Sequence, residues 1–375
     1  MNNFRKLLNK PITTILLSVL IGFLFGALVL ISAGYNPGHA YAALFQGIFS
    51  KPKYMAMVII RSTPIILTGI SVAFAFKTGL FNIGAEGQYI VASITAVMVG
   101  YFWKLPPGVH FFVVIALAMV AGALWASIVG YLKARFGIHE VITSIMLNWI
   151  ALYLNNFMIS LPWIKKPGTE ASYEALETSW SVILNKWKLS DEGIAYLKDS
   201  PFLREVLLKT DLNYGFLIAI FLAFFVWFLL YRTTKGYQIR AVGLNADAAE
   251  FAGISVKKNI IISMAIAGAI AGLAGALQIT GTQPHRITML AAQEGYGFDG
   301  ISVALIANSS PIGCIFAGLL FGALRYGGAS IQSEVGAPTE IINIVIGIIV
   351  FFVSIPALYS IIGDAISKKR GEKNA

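Results

Sequence analysis

Residues 81–93, FNIGAEGQYIVAS, set Asn82, Glu86 and Gln88 into a segment otherwise apolar enough to span hydrocarbon. A carboxylate in such surroundings can exchange a proton, pair with a cation or hydrogen-bond a passing solute, while the two amides offer donors and acceptors without charge. Two further charges, Arg61 and Asp299, stand in comparable apolar runs. An ionised side chain in the bilayer core costs at least about 2.5–3.5 kcal/mol, so all three must face protein or water. Glu86 lies between Gly84 and Gly87, and Asp299 between Gly297 and Gly300. Glycine beside a polar residue favours broken helices whose freed backbone groups line a cavity. Pairing of Arg61 with Glu86 or Asp299 as a buried ion pair that fixes helix packing is the competing reading. Against it, Asn148, Asn155, Gln278, Gln283 and Asn308 add uncharged polar groups at membrane depth, more than one ion pair needs. A polar, mostly uncharged lining suits a neutral, hydrogen-bonding solute better than a metal ion or a phosphate. The candidate pathway or gate residues are therefore Asn82, Glu86, Gln88, Asn148, Gln278, Asp299 and Asn308.

Other chemistry is largely missing from the sequence. His39, His110, His139 and His285 are scattered singly with no HExxH pair, so no metal site is expected. There is no GxSxG elbow and no GxxxxGK[ST] phosphate loop, so no catalytic residue is expected and ATP cannot be held in the P-loop manner. Energy for uphill transport would enter through a partner protein or an ion gradient. Cys314, the only cysteine, lies in an apolar run and reads as a small buried hydrophobe.

The elements that must position these residues follow from composition. Of 375 residues, 57% are apolar and only 12% charged, against about 25% charged in soluble domains. Spans of about 20 residues fit near 12–33, 55–76, 86–103, 111–132, 141–161, 213–231, 259–280, 295–308, 311–327 and 338–362. The fold class is an all-α polytopic membrane protein of about ten transmembrane helices, a single transmembrane domain over 1–375 with no room for a soluble catalytic domain. The net charge of +10 resides mainly in short loops and at the termini, which reports orientation and not a nucleic-acid partner. The lysines and arginines at Arg5, Lys6, Lys10, Lys77, Lys133, Arg135, Arg232 and Lys368–Lys373 fall on one side of the membrane, placing both termini in the cytoplasm. The pairs GIHEVIT (137–143) with GAPTEIIN (336–343) and FNIG (81–84) with FDG (298–300) are what inverted repeats of spans 2–5 and 7–10 would give.

Two loops are long. The stretch 162–213 mixes both charge signs, contains Trp163, Trp180 and Trp187, and lies outside in this topology. It reads either as a set of short interfacial helices that touch an extracellular partner or as a solvated insertion with no direct role. The cytoplasmic segment 233–258 behaves differently. Asn245 is an N-cap residue, Ala246 to Ala252 favours helix, and Gly253 can close it in the left-handed conformation. Two turns are too short to be stable alone, so the helix must be held by its own domain or by a second protein.

FNIGAEGQ, HEVITSIMLNWIA, GYQIRAVGLNADAAEFAGIS, IAGLAGAL and YGFDGISVALIANSSPIGCIFAGLLFGALRYGG, taken together, resemble the membrane permease subunits of bacterial ABC importers for branched-chain amino acids, simple sugars and nucleosides. The similarity runs from about Ile59 to Tyr359 and is strongest to the nucleoside and simple-sugar branch. It implies a bacterial cytoplasmic-membrane importer subunit, not itself an enzyme and binding no cofactor. Its partners would be a second permease subunit, two ATPase subunits that use the ATP, and an extracellular solute-binding (lipo)protein. It further implies that Gly243–Ile254 is a coupling helix docked on the ATPase, with Arg240, Asn245, Asp247 and Glu250 as polar contacts, Ala248, Ala249 and Ile254 packing, and Gly243 and Gly253 at its ends. The implied solute is a nucleoside, such as the purine nucleoside guanosine. Ribose or another simple sugar is the alternative within the family, and a proton-coupled secondary transporter using Glu86 or Asp299 is the rival outside it.

Overall fold

The computed structural model describes residues 11–354, with side chains from 17 to 352. The basic residues at Arg5, Lys6, Lys10 and Lys368–Lys373, and the last part of the tenth expected span, lie outside the described residues. Among the described residues the chain is helical, and its only β pairing is a few isolated bridges. The chain divides into two compact units, one formed by residues up to Ser50 and from Ala323 onward, the other by Lys51–Gly322.

In the first unit α1 (Pro11–Ser32) packs along the C-terminal helix α13 (Thr339–Ser354). Between them in sequence comes α2 (Pro37–Phe49), a helix the span assignment misses. Its start is nonetheless written plainly: the Asn36 side chain accepts from the backbone N–H of Gly38 at 2.8 Å, and Pro37 occupies the first helical position, where no donor is needed. The Tyr41 hydroxyl donates to the Phe23 carbonyl at 2.6 Å and fastens α2 to α1.

The larger unit contains α3 (Pro52–Phe76), α4 (Ala85–Phe102), α5 (Val109–Phe136), α6 (Glu140–Ser160), α7 (Gly215–Arg232), the short α8 (Thr234–Leu244) and α9 (Ala246–Phe251), then α10 (Val256–Gly281) and α11 (Tyr296–Ile306). The helix α12 (Gly313–Val335) begins in it. Among the described residues six helices, α3, α5, α6, α7, α10 and α12, are long and apolar enough to cross a membrane. Within the larger unit the apolar span of α3 is 83% buried and that of α10 67%, whereas α5 and α7 bury 28% and α6 33%. Helices apolar all round with so little of that surface covered by protein meet lipid, so α3 and α10 form the core and α5–α7 its outer face. Lipid supplies no hydrophobic drive between helices, and close approach depends on small side chains. Accordingly Gly268 and Gly272 of α10 lie against the backbone of Gly122 and Ala118 in α5.

The segment 295–308 departs from the expected full span. The helix α11 has 11 residues and a rise of about 1.5 Å per residue gives it roughly half the ~30 Å of a hydrocarbon core. It stops where Asn308 and Ser309 take left-handed backbone conformations, φ 50° and 54°, and the chain reverses into α12. One of the two repeat pairs has a local structural counterpart. Gly137 and Gly336 both have positive φ, and each is followed three residues later by a helix with a glutamate, Glu140 or Glu340, in its first turn.

Candidate functional site

The FNIGAEGQ stretch forms the end of the turn after α3 and the first turn of α4. Asn82 and Gln88 exchange two side-chain hydrogen bonds, Asn82 Nδ2 donating to Gln88 Oε1 at 3.1 Å and Gln88 Nε2 to Asn82 Oδ1 at 2.9 Å. Asn148 of α6 accepts from the Gly87 N–H at 2.8 Å and donates to the Ile83 carbonyl at 3.0 Å. All three amides are buried. The polar groups of this junction are thus bonded to one another, which is what a low-dielectric interior demands.

Glu86, also fully buried, stands in the first turn of α4, and its two oxygens accept from the N–H groups of Gly295 at 2.7 Å and Gly297 at 2.6 Å. Those donors open α11. One carboxylate therefore sits against the positive ends of two helices, its own and the facing one, and satisfies donors that α11 cannot satisfy internally. The approach requires glycine: a Cβ on Gly297 would stand 2.2 Å from the Glu86 nitrogen. The expected break in the helix thus takes the form of two helix N-termini meeting at a shared carboxylate. Asp299 lies in the first turn of α11, and the Thr68 hydroxyl donates to the Tyr296 carbonyl at 2.8 Å, tying α11 to α3.

Beside this junction is a polar cavity of about 280 Å³. Arg61, Tyr89, Gln278, Glu294 and Tyr296 line it together with the segment Thr282–Leu290. Arg61 acts electrostatically on Glu294 and the Tyr89 hydroxyl hydrogen-bonds the Glu294 carboxyl. The Tyr89 and Tyr296 ring centroids are 5.3 Å apart. Of the seven expected pathway residues Gln278 faces this cavity, Asn82, Glu86, Gln88 and Asn148 form the adjoining junction, and Asn308 occupies the turn after α11. Sequence reasoning passed over Glu294, Tyr89 and Tyr296. The signal for Glu294 was its place between two apolar runs, immediately before the glycine that opens α11.

The loop 162–213 is folded onto the same end of the helices. Ala175 N–H donates to His285 O and Ser172 N–H to Ile287 O, at 2.9 and 3.0 Å. Trp180 stacks on His285 with centroids 3.9 Å apart. From α6, Asn155 and Asn156 donate to the Thr288 and Leu290 carbonyls at 3.0 and 2.8 Å, holding the cavity-lining segment as a neighbouring strand would. Short helices do occur in the loop, including Asp191–Lys198 capped by Ser190.

The segment 233–258 has the expected cap and stop. Asn245 Oδ1 accepts from Ala248 N–H at 2.9 Å, and Gly253 takes φ 82°. The observed helix, Ala246–Phe251, ends one residue short of the expected one. Several coupling candidates are engaged within the chain itself. The Arg240 guanidinium donates to the Leu230 carbonyl at 3.0 Å and stacks over Tyr231. Ala249 is buried, and Gly243 lies so close to the turn after α3 that a Cβ would stand 2.2 Å from the Lys77 carbonyl oxygen. Asn245, Asp247, Ala248, Glu250 and Gly253 are exposed and Ile254 is half-buried. Two apolar residues outside the expected set project from this tip: Phe251 is 96% exposed and Leu244 89%.

Residues 54–354 match the family described as branched-chain amino acid transport system / permease component. The chain is a member of that permease family. The permease is 40% identical over 339 residues to the guanosine ABC transporter permease protein NupP of Bacillus subtilis, covering 90% of this chain and 92% of that one. It is 35% identical to the nucleoside ABC transporter permease protein NupB of Lactococcus lactis over the full length of both. A second guanosine ABC transporter permease protein of Bacillus subtilis, NupQ, is 29% identical over 70% of this chain and 78% of its own length. With its apolar helices, the permease is a multi-pass protein of the cytoplasmic membrane, and the relatives it matches are transport permease subunits.

Proposed function

We propose that this permease carries nucleosides, guanosine among them, inward across the cytoplasmic membrane as part of an ABC importer. The observation that carries this reading is the polar cavity, in which Arg61 and Glu294 balance each other, Arg286 is paired with Glu174, and the Tyr296 ring, packed on the buried Tyr89, lies with an amide on the wall, a lining matched to a neutral solute with an aromatic base. The identity to NupP and NupB supports it. A proton-coupled mechanism at Glu86 draws no support from these relatives, and both Glu86 oxygens already accept backbone hydrogen bonds.

In this reading the permease has ten spans with both termini in the cytoplasm and works as one domain. It binds no cofactor, and separate ATPase subunits use the ATP. Asn245, Asp247, Glu250, Phe251 and Leu244 meet the ATPase, whose surface covers the exposed apolar tip. Asn82, Glu86, Gln88, Asn148, Asp299 and Asn308 serve the gate by fixing helix ends, and Gln278 faces the solute. An extracellular solute-binding lipoprotein delivers the solute. A second, related permease completes the pathway, as the occurrence of NupP and NupQ in one organism suggests.

The test is uptake of labelled guanosine in cells with and without this chain, challenged with excess unlabelled adenosine, uridine, ribose or leucine. Loss on deletion, with competition by nucleosides and not by ribose or leucine, is expected. Unchanged uptake in a strain with no second guanosine route removes the nucleoside assignment.

A further inference from the structure

The cavity holds more chemistry than a passive conduit needs. Glu294 is exposed toward it and flanks Gly295, whose N–H is held by Glu86, so its backbone position is fixed by the junction. The hydrogen bond from Tyr89 takes one of roughly four acceptor sites on the Glu294 carboxylate and leaves the others for a ligand. Arg61 faces the same space as the counter-charge. The other arginine on the wall, Arg286, is already paired with Glu174 at 3.4 Å. The net balance therefore disfavours an anionic ligand such as a nucleotide. With about 280 Å³, the space falls just short of the range for small-molecule pockets, about 300 Å³ and above, so it fits a small solute closely.

We propose that this cavity reads the nucleobase, with Glu294 and Arg61 as specificity-determining residues that favour a guanine edge over an adenine edge. The inference rests on the nucleoside reading above. Guanine presents two adjacent N–H donors on its pairing edge, which a carboxylate accepts with both oxygens, and beside them an O6/N7 acceptor pair that matches the guanidinium fork. Adenine offers one donor next to a ring nitrogen that is an acceptor. A second carboxylate oxygen would then face a lone pair, and the guanidinium would lose its O6 partner. Tyr296, backed by the buried Tyr89, supplies π surface for either base, and Gln278 offers hydrogen bonds to ribose hydroxyls, so these groups bind without discriminating.

The test uses the intact importer in cells, with its binding protein and ATPases unchanged, and measures the ratio of labelled guanosine to labelled adenosine uptake. Because only the permease is altered, a shift in the ratio belongs to it. Glu294→Gln replaces one acceptor oxygen with a donor and is expected to lower the guanosine-to-adenosine ratio roughly tenfold, the scale of one bidentate base contact. Glu294→Asp retains the direction of preference. Arg61→Lys keeps the charge and removes the fork, and is expected to lower the ratio as well. It decides the matter if Glu294→Gln does not reach the membrane. A wild-type ratio in the variants, or an equal loss of both solutes at normal membrane abundance, overturns the base-reading role alone. A wild-type importer that carries neither nucleoside overturns the nucleoside reading and this inference with it.

Discussion

The junction around Glu86 and the tip around Asn245 treat their surfaces in opposite ways. At the junction Asn82, Gln88, Asn148 and Glu86 are buried and bonded to one another or to backbone. At the tip the backbone is capped with equal care, yet Phe251 and Leu244 stand almost wholly outside. Both regions are short turns between helices and both are rich in glycine and small polar residues. The difference teaches that local satisfaction of hydrogen bonds shows how a turn is held, while uncovered apolar area shows whether it is finished. The junction's side chains are covered within this chain, whereas the tip leaves Phe251 and Leu244 uncovered, the surface that the proposed ATPase contact would bury.

Mutations can sharpen that contrast. The largest effect is expected from Gly297→Val, because any Cβ there collides with the backbone of α4. The variant should fail to accumulate in the membrane, as read by immunoblot of membrane fractions. Phe251→Asp should do the reverse, leaving abundance and melting temperature at wild-type levels while reducing uptake roughly tenfold or more, the scale of an interface hot spot. A loss of abundance instead would show the tip to be structural. Gln88→Leu leaves the Asn82 Oδ1 without its donor in a dry site, with only the Nδ2 bond to Ser71 at 3.4 Å remaining, at a cost of about 1–3 kcal/mol, visible as a lower melting temperature in detergent. Asn245→Ala removes one cap, worth about 1 kcal/mol, and should weaken uptake more than it weakens thermal stability.

The smallest expected effect is a pH dependence on the opposite face. Burial pushes the His285 imidazole below its ordinary 6.5, outweighing Asp211 and Glu174, which favour its charge, with Lys188 opposing it. A base held neutral in the fold binds fewer protons than when unfolded, so its contribution is fully present above pH 6.5 and declines on acidification below that value. Trp180, stacked on His285, provides the readout: the melting temperature followed by tryptophan fluorescence should fall slightly from pH 7 to pH 5, and His285→Phe should flatten that fall.

Much of this arrangement was legible in the residues. Long apolar runs gave the helices, and Asn245 with Gly253 marked the short one between them, because capping chemistry is local. The importance of Glu86 was also visible, since a buried carboxylate must have partners. Which partners it takes was not, because Gly295 and Gly297 are more than two hundred residues away and their N–H groups carry no side-chain signature. Glu294 was hidden for a related reason: in sequence it sits in a polar connection, and only the fold turns it toward Arg61 and Tyr89. The length of α11 was misjudged because an apolar run continues through Asn308 and Ser309, where two left-handed residues end the helix without glycine or proline.

The exposed phenylalanine at the tip has a consequence for the biology of assembly. In the proposed topology a newly inserted copy would display Phe251 and Leu244 to the cytoplasm until something covers them, and bare apolar side chains of that kind attract chaperones and proteases. If the proposed ATPase is what covers this tip, an orphan copy would advertise itself for removal, and the amount of permease that survives would follow the supply of that subunit.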